Sequence, residues 1–229
     1  QNSLVFSEML NSISHRGPDH KDEIFFDKYS YFGHVRLSII DQENSNQPMI
    51  SDCGRYILVF NGEIYNFIEL RQKLIQLGFH FKTYGDTEVL LKLLILEGEN
   101  CLKELNGMFS FVFYDKKKCE WIAARDHFGI KPLYFSQLKN GSIVFASEIK
   151  ALLFLKDLKA ECDYNSLHDY LRFQICLDEK TLFKNIKKVL PATYLKGNLN
   201  NPLKLEKKEW WSLNFNIDFV HEESWFLDR

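Results

Sequence analysis

Four polar clusters in the sequence have the residue types of a site that binds an amino acid. In chain order they are Arg36 in HVRLSIID, Asn61-Gly62-Glu63 in LVFNGEIYNF, Asp86 in YGDTEVLL, and the segment ARDHFGIKPLYF. A guanidinium fork pairs bidentately with a carboxylate, and an acid at the start of a helix can hold an ammonium group. Arg36 and Asp86 together would therefore bind the two charged ends of a zwitterionic amino acid.

The Asn61-Gly62 pair adds electrophilic chemistry to this set. A side-chain amide and a Gly backbone N–H that point at one place have the composition of an oxyanion hole, which stabilises the tetrahedral intermediate formed when a carbonyl is attacked. We interpret residues 57–61 as a strand and Asn61-Gly62 as an abrupt turn that presents both donors. The combination predicts an enzyme that holds an amino acid and attacks a carbonyl on its side chain.

Each cluster also has a purely structural explanation. A lone arginine in a strand usually pairs with a neighbouring acid, and Asp86 has the residue type of a helix cap. By composition alone, a simple turn at Asn61-Gly62 is favoured by roughly three to one. The KPLY sequence fits a strand that begins at proline. No single cluster predicts a function by itself.

Hydrophobic periodicity predicts the elements that would position these clusters. Helices are predicted at 4–14, 66–77, 87–97, 147–154 and 164–172, the second opened by a capping box at Asn66 and Glu69. Strands are predicted at 23–26, 31–39, 55–60, 108–115, 120–125, 133–135 and 142–146. Because the strands come in antiparallel runs with helix pairs between them, the fold is predicted as a layered α+β domain rather than a doubly wound parallel sheet.

Composition narrows the class of protein. The 229 residues are 45% hydrophobic and 26% charged, as is typical of globular proteins. A net charge of -2 and the lack of long basic runs argue against nucleic-acid binding, and no apolar run approaches the length of a membrane span. The five scattered cysteines predict free thiols in a reducing cytoplasm and no metal site. With no P-loop and no G-x-G-x-x-G motif, no nucleotide cofactor is expected in this chain.

Several long motifs occur here in the order seen in one family. They are SHRGPDH, HVRLSIID, NQPM, LVFNGEIYNF, YGDTEVLL, LNGMFSFVFYD, ARDHFGIKPLYF and FASEIKALL. Through them the chain closely resembles the N-terminal glutaminase domain of glutamine-hydrolysing asparagine synthetases, which are class II glutamine amidotransferases. The resemblance is dense over residues 9–154, thins over 157–186, and returns weakly at VLPATYL and EWWSLNF.

The resemblance implies a fold and a role for each candidate residue. The fold would be the four-layer αββα sandwich of N-terminal-nucleophile hydrolases, with two antiparallel sheets between helix layers. Arg36 would hold the α-carboxylate of L-glutamine, and Asp86 and Glu63 would surround its α-ammonium group. The Asn61 side chain and the Gly62 backbone N–H would form the oxyanion hole.

One part of the family pattern is not in this sequence. In the family the nucleophile is a cysteine at the mature N-terminus, whose own α-amine serves as the base and which opens a first strand. Here position 1 is Gln, so roughly 10–20 preceding residues, a strand and its connection, are expected. We favour their presence in a longer polypeptide, because the glutamine pocket is intact. A homologue without a nucleophile is the alternative, and the chain that begins at Gln1 is expected to be inactive.

The partners follow from the same resemblance. Residues 1–210 are interpreted as the amidotransferase domain, and 211–229 as a linker toward a C-terminal synthetase domain that uses ATP and Mg²⁺. Glutamine hydrolysis here would supply ammonia, so that aspartate, glutamine and ATP yield asparagine, glutamate, AMP and pyrophosphate. We expect a cytoplasmic protein without nucleic-acid or membrane partners; a homodimer is left open.

Two other functions stay open at the level of sequence. One is an amidotransferase of the same family that acts on another acceptor, as in polysaccharide or peptide modification, since the second domain chooses the acceptor. The other is a non-catalytic glutamine-binding module. The full reading frame would discriminate between them, because a cysteine directly after the initiator methionine favours an enzyme.

Overall fold

The computed structural model describes residues 2–41, 44–215, 220–221 and 224–225. Its helices include α1 (Asn2–Ser12), α2 (Phe67–Gln76), α3 (Asp86–Glu97), α4 (Ile149–Leu152) and α5 (Tyr164–Phe173). Its strands include β1 (His20–Phe25), β2 (Tyr31–Arg36), β3 (Met49–Ile50), β4 (Tyr56–Ile64), β5 (Gly107–Asp115), β6 (Glu120–Arg125), β7 (Tyr134–Gln137), β8 (Ile143–Ala146), β9 (Lys187–Lys188), β10 (Thr193–Asn198) and β11 (Asn201–Glu209). None of the described helices is long and apolar enough to cross a lipid bilayer.

A six-stranded antiparallel sheet forms the centre of the domain. Its strand order is β11-β10-β6-β5-β4-β3. The longest ladder joins β4 to β5, in register from Tyr56 opposite Asp115 to Ile64 opposite Gly107. The edge strand β3 is short and pairs with β4 only at Leu58 and Ile57. Beyond Leu58, therefore, β4 has no strand beside it on that edge within the part of the chain that the structure describes.

One face of the large sheet packs against α2 and α3. Alternate β5 residues point to this face, so Phe109, Phe111 and Phe113 lie in one cluster with Leu74 and Leu90 of the two helices. Side chains of this size stabilise the fold by roughly 1.5–3 kcal/mol each when fully buried. The sequence alternation of β5 thus becomes a two-faced central strand, because its other face is covered as well.

The opposite face of the sheet packs against a second layer of strands. Val112 and Tyr114 of β5 lie in one cluster with Leu133 and Phe135. The outer face of that second layer is covered by α1 and α4, with Leu152 fully buried among residues of both helices and of β7 and β8. Helix, sheet, sheet and helix layers therefore follow one another, and the predicted α+β αββα sandwich is confirmed.

The second strand layer is divided into two pieces. One piece pairs β1 with β2, and the other has the order β8-β7-β9. Every residue of β2 and of β8 lines one cavity of about 610 Å³ between the layers. If only one face of a strand bordered the cavity, alternate residues would line it. Because every residue of β2 and β8 lines it, the cavity borders the edges of these two strands.

Two local predictions were wrong. Asn66 precedes α2 but makes no capping hydrogen bond. Its amide instead donates to Glu104 O (2.9 Å) and accepts from Asn106 N (2.9 Å), which ties the helix start to the next loop. The spacing of Phe67, Leu70, Leu74 and Leu77 predicts one apolar face for this helix, yet Leu77 is exposed. The expected linker, 211–229, lies partly outside the described residues.

Candidate active site

The candidate oxyanion-hole residues lie within a strand and not at a turn. Asn61 pairs with Ser110, and Gly62 pairs with Phe109, inside the uninterrupted β4–β5 ladder. The predicted turn at this position was therefore wrong, and the chain leaves the strand only after Ile64. Asn-Gly is a common turn sequence, but the long pairing with β5 overrides that local preference.

Gly62 is required by close packing between the two strands. A Cβ built on Gly62 would lie 2.0 Å from Met108 O and 2.7 Å from Phe109 Cα. Its φ of 154° also lies in a region that residues with a side chain rarely adopt. Glycine here lets β4 approach β5 more closely than any other residue would allow.

On the edge of β4 that faces away from β5, the backbone N–H groups of alternate residues point outward. Phe60 N donates to Gln47 Oε1 (2.6 Å), and Ile64 N donates to Asp86 Oδ2 (3.0 Å). Alternation along a strand directs the N–H of Gly62, midway between them, to the same edge. That N–H faces the cavity, which Gly62 lines. A backbone donor is thus presented between two anchored neighbours.

The Asn61 side chain supplies a second donor. Its Nδ2 is buried and has no hydrogen-bond partner among the residues that the structure describes. A buried amide without a partner is expensive, by about 1–3 kcal/mol, so it indicates a position reserved for a ligand atom. Asn61 lines the cavity together with Gly62. Both predicted donors are therefore brought to one place.

Arg36 ends β2 and is only 6% exposed. Its guanidinium donates to Ile40 O (2.8 Å), Asp41 O (2.8 Å) and Asn46 Oδ1 (3.2 Å). These three contacts tie the guanidinium to the loop at residues 40–46. Arg36 lines the cavity, as do the cationic side chains of Arg16, Lys28 and Lys131.

Asp86 is the first residue of α3, after the N-cap Gly85. It is 5% exposed, and its carboxylate accepts from the backbone N–H of Ile64. Burial raises the pKa of Asp86, and the nearby Glu63 carboxylate raises it further. Both acids line the cavity, so a bound ammonium group would relieve their repulsion.

Arg71 of α2 holds the loop that precedes Asp86. Its guanidinium donates to Thr83 O (2.8 Å) and Gly85 O (3.1 Å). Gly85 in turn packs so tightly against Ser45 that a Cβ there would lie 2.1 Å from Ser45 Oγ. The position of Asp86 is thereby fixed from both the helix and the loop.

The fourth polar cluster of the sequence is structural for the most part. Arg125 donates to three backbone carbonyls, those of Gly129, Lys131 and Val189. Asp126 accepts from backbone N–H groups, those of Phe109, Phe128, Ile130 and Lys131. The two side chains fold the 125–131 loop and anchor β5, and of this cluster Lys131 and Leu133 line the cavity.

Two site residues were missed by the sequence reasoning. The Gln47 amide donates to Phe60 O (2.9 Å) as well as accepting from Phe60 N, and His34 Nε2 lies 3.1 Å from the same carbonyl. Both residues belong to quoted motifs, NQPM and HVRLSIID. Motif membership was the only signal, because their partner is a backbone group far away in the chain.

The layered fold is that of amidotransferases of the N-terminal-nucleophile type. Two solved structures share the fold: the allosteric regulatory enzyme of purine biosynthesis (TM-score 0.64, 21% identity, 93% of this chain and 47% of that chain), and the glutamine phosphoribosylpyrophosphate amidotransferase from B. subtilis (TM-score 0.61, 22% identity, 91% and 46%). The chain belongs to the glutamine amidotransferase domain family, whose model matches residues 1–211.

Curated relatives are similar over most of this chain. It is 42% identical over 189 residues to glutamine-hydrolyzing asparagine synthetase 1 of Bacillus subtilis (strain 168), covering 82% of this chain and 29% of that protein. It is 33% identical to putative asparagine synthetase 2 of Methanocaldococcus jannaschii, covering 90% and 43%. Amidase chry2 of Gibberella zeae is 35% identical, covering 93% and 31%. The chain thus spans less than half the length of each of these relatives.

Proposed function

We propose that this chain is the glutamine-hydrolysing domain of a larger enzyme and supplies ammonia to it. The observation that carries the proposal is that Asn61, whose Nδ2 has no partner among the described residues, and Gly62 line a cavity that Arg36 and Asp86 also line. A carboxylate ligand, an ammonium ligand and two donors for a developing oxyanion match the parts of an amino acid with a side-chain carboxamide. Glutamine is the amino acid that the names of the relatives provide.

Substrate binding follows from charge. The Arg36 guanidinium takes the α-carboxylate, and Asp86 with Glu63 takes the α-ammonium group. These contacts fix the far end of glutamine so that its carboxamide oxygen reaches the Asn61 amide and the Gly62 N–H. The two donors bind this oxygen more strongly as negative charge develops on it, which is how they accelerate the attack.

The nucleophile is proposed to be a cysteine thiol on a strand that fills the cavity. None of the five cysteines lines the cavity in the described part of the chain. A strand between the open edges of β2 and β8 would join the two pieces of the second sheet, and α1 and β5 would cover its faces. The sulfur adds to the carboxamide carbon, the nitrogen leaves with the thiol proton as ammonia, and water then cleaves the thioester to glutamate.

The remainder of the enzyme is proposed from its relatives. A synthetase domain in the same polypeptide would use ATP and Mg²⁺ to activate aspartate and would receive the ammonia. The five free cysteines fit a reducing cytoplasm. An acceptor other than aspartate is the second candidate, because a relative named as an amidase is 35% identical over this same region. A homodimer stays a prediction.

Glutamine hydrolysis by the full-length protein tests the proposal. We expect glutamate release from glutamine by full-length protein and none by protein that begins at Gln1. Full-length protein with serine in place of the proposed nucleophilic cysteine is expected to fold and to show no turnover. Glutaminase activity of protein verified to begin at Gln1 would contradict the proposed nucleophile, and an inactive full-length protein would contradict the function.

Asp86→Asn is expected to weaken glutamine binding. Asparagine keeps an acceptor for Ile64 N but removes the charge that holds the ammonium group. Loss of a charge-assisted hydrogen bond of about 1.5–3 kcal/mol corresponds to a KM raised roughly 10–150-fold, with a smaller change in kcat. Steady-state glutaminase kinetics measure both.

The wild-type pH dependence provides a second measurement. Because burial raises the pKa of Asp86, its charge is lost at a higher pH than for an ordinary aspartate. The wild-type KM should therefore rise on acidification in that range, and the Asn variant should not show this rise. Asp163→Asn is the matched control, since Asp163 caps α5 away from the cavity. An unchanged KM in Asp86→Asn would exclude the ammonium role.

A further inference from the structure

We propose that Gln47 is a positioning residue for the oxyanion hole, acting through the backbone of Phe60. The inference rests on the proposed function, since it concerns the same reaction. Gln47 is 5% exposed and lines the cavity, and both polar atoms of its side-chain amide are bonded to the backbone of Phe60. Its role is to hold the strand that presents Asn61 and Gly62.

The Gln47 side chain replaces a strand partner. Its amide makes both hydrogen bonds that a neighbouring strand would make to one residue: it accepts from Phe60 N (2.6 Å) and donates to Phe60 O (2.9 Å). The register of β3 would bring residue 47 opposite Phe60, but β3 begins at Met49. Position 47 is where the next hydrogen-bonded pair of the β3–β4 ladder would fall, and the Gln47 side chain supplies that pairing.

His34 reinforces the same carbonyl. Its Nε2 lies 3.1 Å from Phe60 O, which can only accept, so Nε2 carries the proton. Burial lowers the pKa of His34 to about 4, so the ring is neutral and is not a proton donor to substrate at neutral pH. Its Nδ1 has no partner among the described residues. Phe60 O therefore has two side-chain donors.

Gln47 and His34 bind the Phe60 peptide, where a small rotation of the backbone would move the oxyanion-hole residues most. The carbonyl of Phe60 belongs to the peptide unit that continues into Asn61, so fixing it fixes the direction of the Asn61 side chain. Asp86 accepts a hydrogen bond from Ile64 N on the same edge of β4. Gly62 therefore lies midway between two residues, Phe60 and Ile64, whose backbone is held by side chains. Without Gln47, the Phe60 peptide loses one donor and one acceptor on this edge, and the glycine two residues later adds little resistance to a local rotation.

The test is Gln47→Met in the full-length protein, a change that conserves volume and removes both hydrogen bonds. We expect kcat for glutamine hydrolysis to fall about 10–100-fold, since a misplacement of about 1 Å can cost 10²-fold. The KM should change by less than about threefold, because Arg36 and Asp86 still hold the substrate. Rates are expressed per folded protein, from the near-UV circular dichroism signal.

His34→Phe provides a second variant, should the methionine variant fold poorly. It removes one of the two donors to Phe60 O, so a smaller fall in kcat is expected. The two losses should not be additive in the double variant, because both donors hold one carbonyl. Additive losses would contradict a shared action through Phe60.

Thr181→Val is the matched control for a buried side chain that holds backbone. Thr181 Oγ1 donates to Ile186 O (2.7 Å) and accepts from Phe183 N (3.1 Å), away from the cavity. It should lose stability and keep kcat. A kcat in folded Gln47→Met within twofold of wild type, or a fall in kcat of similar size in Thr181→Val, would overturn the positioning role. Failure of the wild-type protein to hydrolyse glutamine would overturn the proposed function instead.

Discussion

Asn61→Ala is expected to reduce kcat for glutamine hydrolysis by about 10²–10³-fold in the full-length protein, equivalent to about 2.7–4 kcal/mol of transition-state stabilisation. The reason is geometric, because Asn61 lines the cavity and its buried Nδ2 has no partner among the described residues. The ground-state carboxamide oxygen is held less tightly by this donor, so KM should change much less.

In contrast to its large effect on kcat, Asn61→Ala is expected to have little effect on folding stability. The Asn61 Nδ2 makes no hydrogen bond to the described residues, so its removal in Asn61→Ala should change the free energy of unfolding little. The measurements are glutaminase kinetics, chemical unfolding, and product formation with added ammonia on one preparation. Ammonia-dependent synthesis should survive, because the proposed second domain performs it.

Asn198→Ala is the matched control for this prediction. Asn198, like Asn61, is an asparagine on a strand of the large sheet. It lies at the end of β10 and its side chain donates to Lys118 O (3.1 Å) at the surface. It should leave glutaminase kcat unchanged. A near wild-type kcat for Asn61→Ala would exclude the oxyanion role, and equal loss of both activities would indicate misfolding.

Gly62→Ala is expected to have the largest combined effect on stability and activity. The added methyl would lie 2.0 Å from Met108 O, a backbone atom held by the β4–β5 ladder. Overpacking and the unfavourable φ of 154° each contribute about 1–3 kcal/mol of destabilisation. Since β4 must move away from β5, both oxyanion donors are displaced, and kcat should fall by 10²-fold or more.

Gly54→Ala separates the two contributions. Gly54 also has a positive φ, 66°, but a Cβ there meets no atom within 4 Å. This variant should show the conformational penalty alone and full glutaminase activity. Thermal unfolding and kcat, measured for both variants, show how much of the effect of Gly62→Ala comes from close packing and how much from backbone conformation. Equal stability of Gly62→Ala and wild type would contradict the close strand approach.

Local sequence patterns were enough to predict most of the helices and strands and to suggest the chemistry of the site. The alternation of MFSFVFYD predicted β5, and the leucine-rich stretch at 87–97 predicted α3, because burial imposes a period of two on strands and of 3.6 on helices. The residue types of Arg36, Asp86 and Asn61 predicted an amino-acid pocket, because charge complementarity depends on residue type and hardly on context.

The backbone and side-chain partners of these residues depend on the tertiary structure. Asn61-Gly62 has the composition of a turn but continues as strand, because pairing with residues about 50 positions later outweighs a local preference. Arg125 and Asp126 have the appearance of site residues, yet they bind loop backbone. Gln47 belongs to no periodic pattern, and its proposed role depends on the point at which β3 begins. Such roles arise from contacts distant in sequence, which local periodicity does not encode.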